Sequence, residues 1–235
     1  MIDLLERVEY RRVSVDDQFD PVYRLRYEAY RREEFIPINS QQVVRDEFDE
    51  LPNVHCFGVY LDGQLVSSLR LHHMTPAYRM SPSYSVFTDI LDPILDKGAT
   101  ILDPGRFTAD HEASLAYPAL PFLTLRIGVM AIKHFGVNYA LSSVRPEHGA
   151  FYRRVFGSVA MSEPRYYHGL TFPMVLYMCD LLSNWERFLR RYPFFRSTQE
   201  ERELLFEEPG RSTMPRVKPT ARVAQRLAEL EPARA

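Results

Sequence analysis

"ILDPGRFTADHEASLAYPALPFLTLRIGVMAIKHFGVNYALSSV", residues 101–144, decides how the chain is built. Ile101 and Leu102 open like a buried strand, and Phe107 restores the apolar run after an interruption. Residues 118–135 are apolar nearly all round, which predicts a central helix, and Gly136 is placed to end it. Residues 137–144 read as a further strand. The interruption is chemical. Asp103 and Arg106 stand three apart around Pro104 and Gly105, whereas a strand that only filled a core would carry neither charge. Because Pro104 cannot donate to a ladder, the Asp-Pro-Gly run predicts a bulge there, leaving a nearby backbone N–H or Arg106 free to point outward.

On the N-terminal side, residues 7–15 read as a first strand, and residues 21–34 as a helix with Asp20 as N-cap and Pro21 in its first turn. Residues 41–51 look helical but very acidic. Two apolar runs, 55–61 and 64–72, flank Asp62-Gly63 and predict a hairpin. From 74 to 98 the sequence is Pro- and Ser-rich, with one apolar-periodic piece from Val86 to Leu95. After residue 144, Pro146 starts a short helix, and strands fit 157–163 and 170–178. No internal repeat is present. This alternation predicts an α/β (α+β) fold with a mixed central sheet flanked by helices. We expect one domain over 1–182, a C-terminal helical appendage over 183–208 built on "NWERFLRRYPFF", and a mobile basic tail over 209–235.

Composition bounds the partners. A 235-residue chain that is 46% hydrophobic and 26% charged is an ordinary globular protein with one substantial core. A formal charge of -2 gives no global case for nucleic acid. There is no apolar run long enough to span a membrane, and the opening "MIDLLERVEYRR" is too charged for a signal peptide. Cys56 and Cys179 make no disulfide framework, so a reducing cytoplasm is the expectation. His72 and His73, adjacent on a strand, face opposite sides, and His55 and His168 lack ligand spacing, so no metal site is expected.

Tyr152 in "VRPEHGAFYRRVFG" follows a strand ending at Val144, near the strand's carboxyl end, where open α/β sheets bind ligands. A phenol there can protonate a leaving thiolate; the plainer reading is that Phe151 and Tyr152 simply pack. The order of elements together with this segment resembles the GNAT acyltransferase superfamily over roughly residues 7–178, in which a tyrosine at this helix acts as general acid. Most of that superfamily bind coenzyme A on a Q/R-x-x-G-x-G/A turn at a helix N-terminus. Here the stretch reads "RFTADHEASLAYPALPF": it has no G-x-G, Asp110 and Glu112 repel a pyrophosphate, and Pro118 and Pro121 remove donors. A coenzyme A donor is therefore disfavoured.

One branch of the superfamily lacks that turn, the acyl-homoserine-lactone synthases and N-acyl amino acid synthases, which take the acyl group from an acyl carrier protein. The resemblance is residue by residue. "RLRYEAY" supplies Arg26 and Tyr30 at the family's R-x-x-x-F spacing, with Tyr for Phe. "RDEFDE" supplies Asp46 and Asp49, "SSLRLHHMTP" supplies Arg70, and Phe87 falls at a pocket phenylalanine. Asp103 and Arg106 match E-x-x-R, with Asp for Glu. The resemblance implies substrate binding by Arg26, Tyr30, Asp46, Asp49, Arg70 and Phe87, with the charged members forming an ion-pair network around the amine-donor pocket; a solvated helix face is the plainer reading for Arg26, Asp46 and Asp49. It implies catalysis by Asp103 as general base, Arg106 at the oxyanion and Tyr152 as acid. Since Asp is one methylene shorter than Glu, Glu112 or His111 is an alternative base; a structural Asp103–Arg106 salt bridge is the plainer reading of that pair.

Arg145, Arg153 and Arg154, with Arg165 nearby, suggest a docking patch for an acidic carrier, against a merely solvated face. The basic tail could do the same or touch anionic lipid. No cofactor is expected to be held permanently, the acyl-phosphopantetheine arriving on the carrier. "EHGAFYRRVFGSVAMSEPRYYHGL" resembles the amino acid synthases more than the lactone synthases, which usually carry a Trp where "REEFIP" offers Phe35; the only tryptophan is Trp185. The expected activity is transfer of a fatty acyl chain from acyl carrier protein to an amino acid's amine. The alternatives are lactone synthesis from S-adenosylmethionine, a non-catalytic lipid or amine sensor, and a CoA-dependent acetyltransferase. Leu123 and Ile127 line either an acyl tunnel or the ordinary core.

Overall fold

The computed structural model describes residues 1–18, 20–167, 171–207 and 216–219. Helix α1 (Ile2–Arg7) runs into strand β1 (Val8–Arg12). Helix α2 (Pro21–Arg32) begins as its sequence predicts. The Asp20 carboxylate accepts the Val22 N–H at 2.9 Å, and Pro21 occupies a turn where its missing donor costs nothing. The hairpin of β2 (Val54–Leu61) and β3 (Gln64–Met74) turns on Asp62 and Gly63, both at positive φ (51° and 83°), the pair of conformations a type I′ turn requires. Helix α3 (Pro82–Leu95) is longer than its apolar-periodic piece because the Ser81 hydroxyl caps it, accepting the Tyr84 N–H.

Strand β4 (Ile101–Ala109) leads through α4 (His111–Ala116) into α5 (Leu120–Phe135), which ends on Gly136 at φ 61°. Strand β5 (Tyr139–Val144), α6 (Gly149–Phe156), β6 (Val159–Ala160), β7 (Arg165–Tyr166) and β8 (Pro173–Cys179) follow. The chain then forms α7 (Trp185–Arg191), α8 (Gln199–Phe206) and β9 (Arg216–Val217). The sheet order is β6-β8-β5-β4-β3-β2-β1-β9, with β7 beside β8. Among the described strands only β4 and β5 run parallel, joined by the α5 crossover. Leu69, Leu71 and Leu102 face α5 in the main core; Met74, Ile101 and Leu141 face α3 on the other side.

Several expectations change. Residues 41–51 form no helix; a single 3₁₀ turn, Glu47–Asp49, is capped by Asp46, and the Asp46 and Asp49 carboxylates turn inward to arginines instead of lying on a helix face. The strand predicted at 157–163 shrinks to Val159–Ala160. Residues after 183 are no separate layer: Phe188, Leu189, Phe195, Leu205 and Phe206 are buried in the main core against α5. Of the residues read as a tail, Arg216 and Val217 pair with β1, while 209–215 and 220–235 lie outside the described residues, as do His168 and Glu208 at the end of the appendage.

Candidate functional site

Strands β4 and β5 pair only at Ile101–Tyr139 and Leu102–Ala140. Beyond that point β4 continues beside β3 to Ala109, and β5 beside β8 to Val144. From residue 103 onward the sheet is therefore split by a widening gap. Pro104 lies opposite Leu71. The His73 N–H donates to the Asn53 carbonyl on the β2 side, so by alternation Leu71 also turns its polar groups toward β2. The Pro104 nitrogen thus faces the gap, where its missing hydrogen breaks no ladder bond. The bulge comes later. Ser68 pairs with Thr108 and Arg70 with Gly105, so Arg106 and Phe107 together oppose Leu69, and Arg106 takes φ 51°. The predicted bulge exists, but its cause is the left-handed Arg106 and not the proline. In a regular strand Arg106 would share the α5 face with Leu102; the extra residue turns it to the face of Asp103 and Arg70.

That face holds a network of three guanidinium groups and two carboxylates. Arg26 and Asp49 are fully buried and joined at 2.9 and 3.0 Å. Arg26 also donates to the Cys56 sulfur at 2.9 Å. Arg70 bridges Asp49 at 2.9 Å and Asp46 at 2.5 Å, and the other Asp46 oxygen pairs with Arg106. The Arg106 guanidinium lies 5.3 Å from the Tyr30 ring centroid. Burial alone would raise the Asp46 carboxyl; the Arg70 and Arg106 guanidinium groups beside it outweigh this and hold it well below the usual carboxylate range. The five charges sum to one excess positive, and the solvent-reached end of the network is Arg106 with Asp46.

Asp103 is buried and does not pair with Arg106. The bridge read from the sequence is absent because Arg106 is turned to Asp46. Asp103 instead accepts the Ser83 N–H at 3.1 Å and the Ser83 hydroxyl at 2.7 Å, at the N-terminus of α3. His72 is its cross-strand neighbour, with Nε2 2.9 Å from the Phe48 carbonyl, and burial and the Arg70 charge hold the imidazole neutral. His73, on the opposite face, stacks on Phe135 at 4.4 Å.

The other candidates are scattered. Tyr152 packs among Phe151 and Phe156 on the α5 side, and burial pushes its phenol up to about 12. Glu112 is exposed on α4 and lines a cavity of about 640 Å³ with Asp62, Gln64 and Tyr117, beside the hairpin turn and not beside Asp103. His111 lines another, of about 230 Å³, with Tyr30, Phe35 and Phe107. Phe87 is fully buried where α3 kinks (φ −118°, ψ 33°). Leu123 and Ile127 are buried in the main core. Arg145 pairs with Glu147 and lies over Phe172, Arg165 pairs with Asp89 of α3, and Arg153 and Arg154 are exposed on α6. Helix α7 meets α6 through Phe156 and Phe188, whose ring centroids are 5.9 Å apart, and carries exposed Arg187, Arg190 and Arg191. The sequence reading missed these because 28 residues, 157–184, separate the helices, although "NWERFLRRYPFF" displays the basic spacing. Ser83, Ser143 and Tyr167 at Asp103 carry no sequence signal at all. Among the described residues no His, Cys, Asp or Glu side chains group as a metal site, and no helix is long and apolar enough to cross a membrane.

A mixed sheet opened between a parallel pair of strands, with a bulged strand at the opening, is the fold of GNAT-type N-acyltransferases, and solved structures agree. The structure of FeeM, an N-acyl amino acid synthase from uncultured soil microbes, superposes with a TM-score of 0.60 at 17% identity, covering 75% of this chain and 92% of that one. Two CoA-dependent acyl-homoserine lactone synthases, BjaI with MTA and MesI, each give 0.56, at 12% and 15% identity, covering 78% of this chain and 89% and 94% of theirs. No curated protein matches the sequence. The profile of the N-acyl amino acid synthase FeeM family matches residues 21–180. The chain belongs to that family and is an N-acyltransferase.

Proposed function

We propose that the protein moves a fatty acyl chain from the phosphopantetheine thioester of an acyl carrier protein onto the α-amine of an amino acid, in the cytoplasm. The observation that carries this reading is the gap between β4 and β5, with Asp103 at its apex and Arg106 turned toward the same face by the bulge. The thioester lies in the gap. Asp103, directly or through a water, takes the proton of the attacking amine, and Arg106 stands at the developing oxyanion. The excess positive charge of the network suits that anion or the carboxylate of the acceptor. Tyr152, held protonated by burial, is the donor to the departing thiolate.

The carrier is favoured over coenzyme A because the start of α4 is already occupied: the Asp110 carboxylate accepts the Ala113 N–H at 2.9 Å, where a phosphate would need that donor. The exposed arginines of α6 and α7 offer an acidic carrier a surface. A CoA-linked donor is the second reading, favoured by the CoA-dependent synthases of the same fold. Purified protein is offered a long-chain acyl carrier or the matching acyl-CoA, each with amino acids or S-adenosylmethionine, and the products are read by mass. N-acyl amino acid from the carrier alone is expected. Turnover of acyl-CoA without carrier replaces the first reading by the second, and a lactone product rejects the amino acid acceptor.

A further inference from the structure

We propose that Ser83 and Tyr167 are positioning residues for Asp103, and that Arg165 clamps the segment carrying Tyr167 into place. The inference rests on the reading of Asp103 as the base. Among the described residues no arginine pairs with Asp103; the three nearby guanidinium groups are bound to Asp46 and Asp49. Its orientation comes instead from Ser83, through backbone and side chain together.

The direction of each hydrogen bond follows from counting protons. The Ser83 hydroxyl has a single hydrogen, and Asp103 accepts it at 2.7 Å. The two other groups on the Ser83 oxygen must then donate: the Tyr167 hydroxyl at 3.1 Å and the Ser143 hydroxyl at 2.7 Å. Every proton of the cluster points toward Asp103. Ser143 belongs to β5 and Asp103 to β4, one residue beyond the last backbone pair between those strands. Ser83 therefore ties the two arms together just where the gap opens, and fixes the carboxylate with respect to both.

Tyr167 is brought there by a built clamp. Arg165 donates to both Asp89 oxygens at 2.6 and 2.8 Å, and to the Val86 carbonyl at 3.2 Å. That carbonyl lies next to Phe87, where α3 leaves helical geometry, and the Tyr167 ring meets the edge of Phe87 at 5.9 Å. The kink in α3, the arginine and the tyrosine form one unit whose polar end is the Ser83 hydroxyl. Without Tyr167 only Ser143 donates to the Ser83 oxygen, so one of the two bonds that hold the Ser83 proton toward Asp103 is lost and the carboxylate is less firmly directed, its other oxygen still held by the Ser83 N–H.

The test is steady-state kinetics with saturable donor and amine, on wild type, Tyr167→Phe, Arg165→Gln and Asp103→Asn. Tyr167→Phe keeps the ring and removes one hydroxyl, so it folds. We expect its kcat to fall roughly tenfold, on the scale by which misplacing a reacting group slows a reaction, while KM for both substrates stays within about twofold. Arg165→Gln is expected to do the same. A Tyr167→Phe enzyme with wild-type kcat, or one whose loss lies wholly in KM, overturns the inference. The Asp103→Asn enzyme reports separately: wild-type turnover there removes the base reading and the inference with it, whereas a large loss leaves Tyr167→Phe to decide.

Discussion

A single left-handed residue, Arg106, determines which charges meet. At φ 51° it inserts one residue into β4 and so reaches Asp46, leaving Asp103 to Ser83. The spacing of Asp103 and Arg106 was legible in the sequence, and so were Arg26, Asp46, Asp49 and Arg70 as a set. Which carboxylate takes which guanidinium was not, because a shift of one residue in a strand moves a side chain to the other face. The most tightly held pair is Arg26–Asp49, with neither side chain exposed. Removing one partner of such a pair leaves a buried charge uncompensated. Asp49→Ala is expected to cost about 3–5 kcal/mol, read in urea melts as a midpoint lowered with unchanged slope. An unaltered midpoint would show that water reaches Arg26 in the variant.

At the scale of elements, local signals located most helices and strands, and tertiary contacts decided their limits. Asp20-Pro21, Asp62-Gly63 and Gly136 mark their boundaries by local chemistry. Residues 41–51 did not become a helix, since their carboxylates gain more from buried arginines than from an acidic helix face. The close packing of α6 on β8 had no local sign either. The Tyr177 hydroxyl occupies the space beside Gly149, so a Cβ built there would lie 2.1 Å from it. In Gly149→Ala either the buried Tyr177 ring or α6 must therefore shift, and the variant is expected to be destabilised by about 1–3 kcal/mol. Thermal unfolding checks this, with Ala150→Gly as the control: residue 150 is exposed on the same helix, and a loss of about 1 kcal/mol or less is expected there.

Over the whole molecule, acid sensitivity should come in two stages. His55 is held down to about 3 by burial first, then by Arg12 and by the neighbouring His73, His72 and His134, and burial lowers His73 and His134 as well. These imidazoles are neutral in the fold but take up protons below about 6.5 when unfolded. Their contribution is whole above that pH and is lost as pH falls toward the folded value. Asp46, depressed by Arg70 and Arg106, contributes fully above its unfolded value near about 4 and loses this in stronger acid. Urea midpoints measured from pH 8 to pH 3 should fall first below about 6.5 and again below about 4, and His55→Phe should flatten the first stage. A midpoint constant down to pH 5 would contradict the burial of these rings.

The C-terminal segment offers the second test at this scale. Phe206 is 3% exposed and packs edge-on to Phe57 of β2 at 5.5 Å. Phe206→Ala is expected to cost about 3–5 kcal/mol, as for a residue of the central core. A loss below about 1 kcal/mol would mean that the C-terminal helical appendage the sequence predicts over 183–208 is energetically separate from the core.

By itself the sequence determined the class: a mixed α/β sheet with a buried central helix, an acyltransferase likeness carried by spaced charges, and a helix start without a glycine cradle. Periodicity, turn residues and caps act over a few neighbours, so they are written locally. Only the tertiary structure decided that the bulge follows Gly105, that Asp103 is oriented by serine and tyrosine, and that the last helices complete the core. Those outcomes depend on strand register and on groups far apart in the chain, where energy comes from burial and pairing that no short segment encodes.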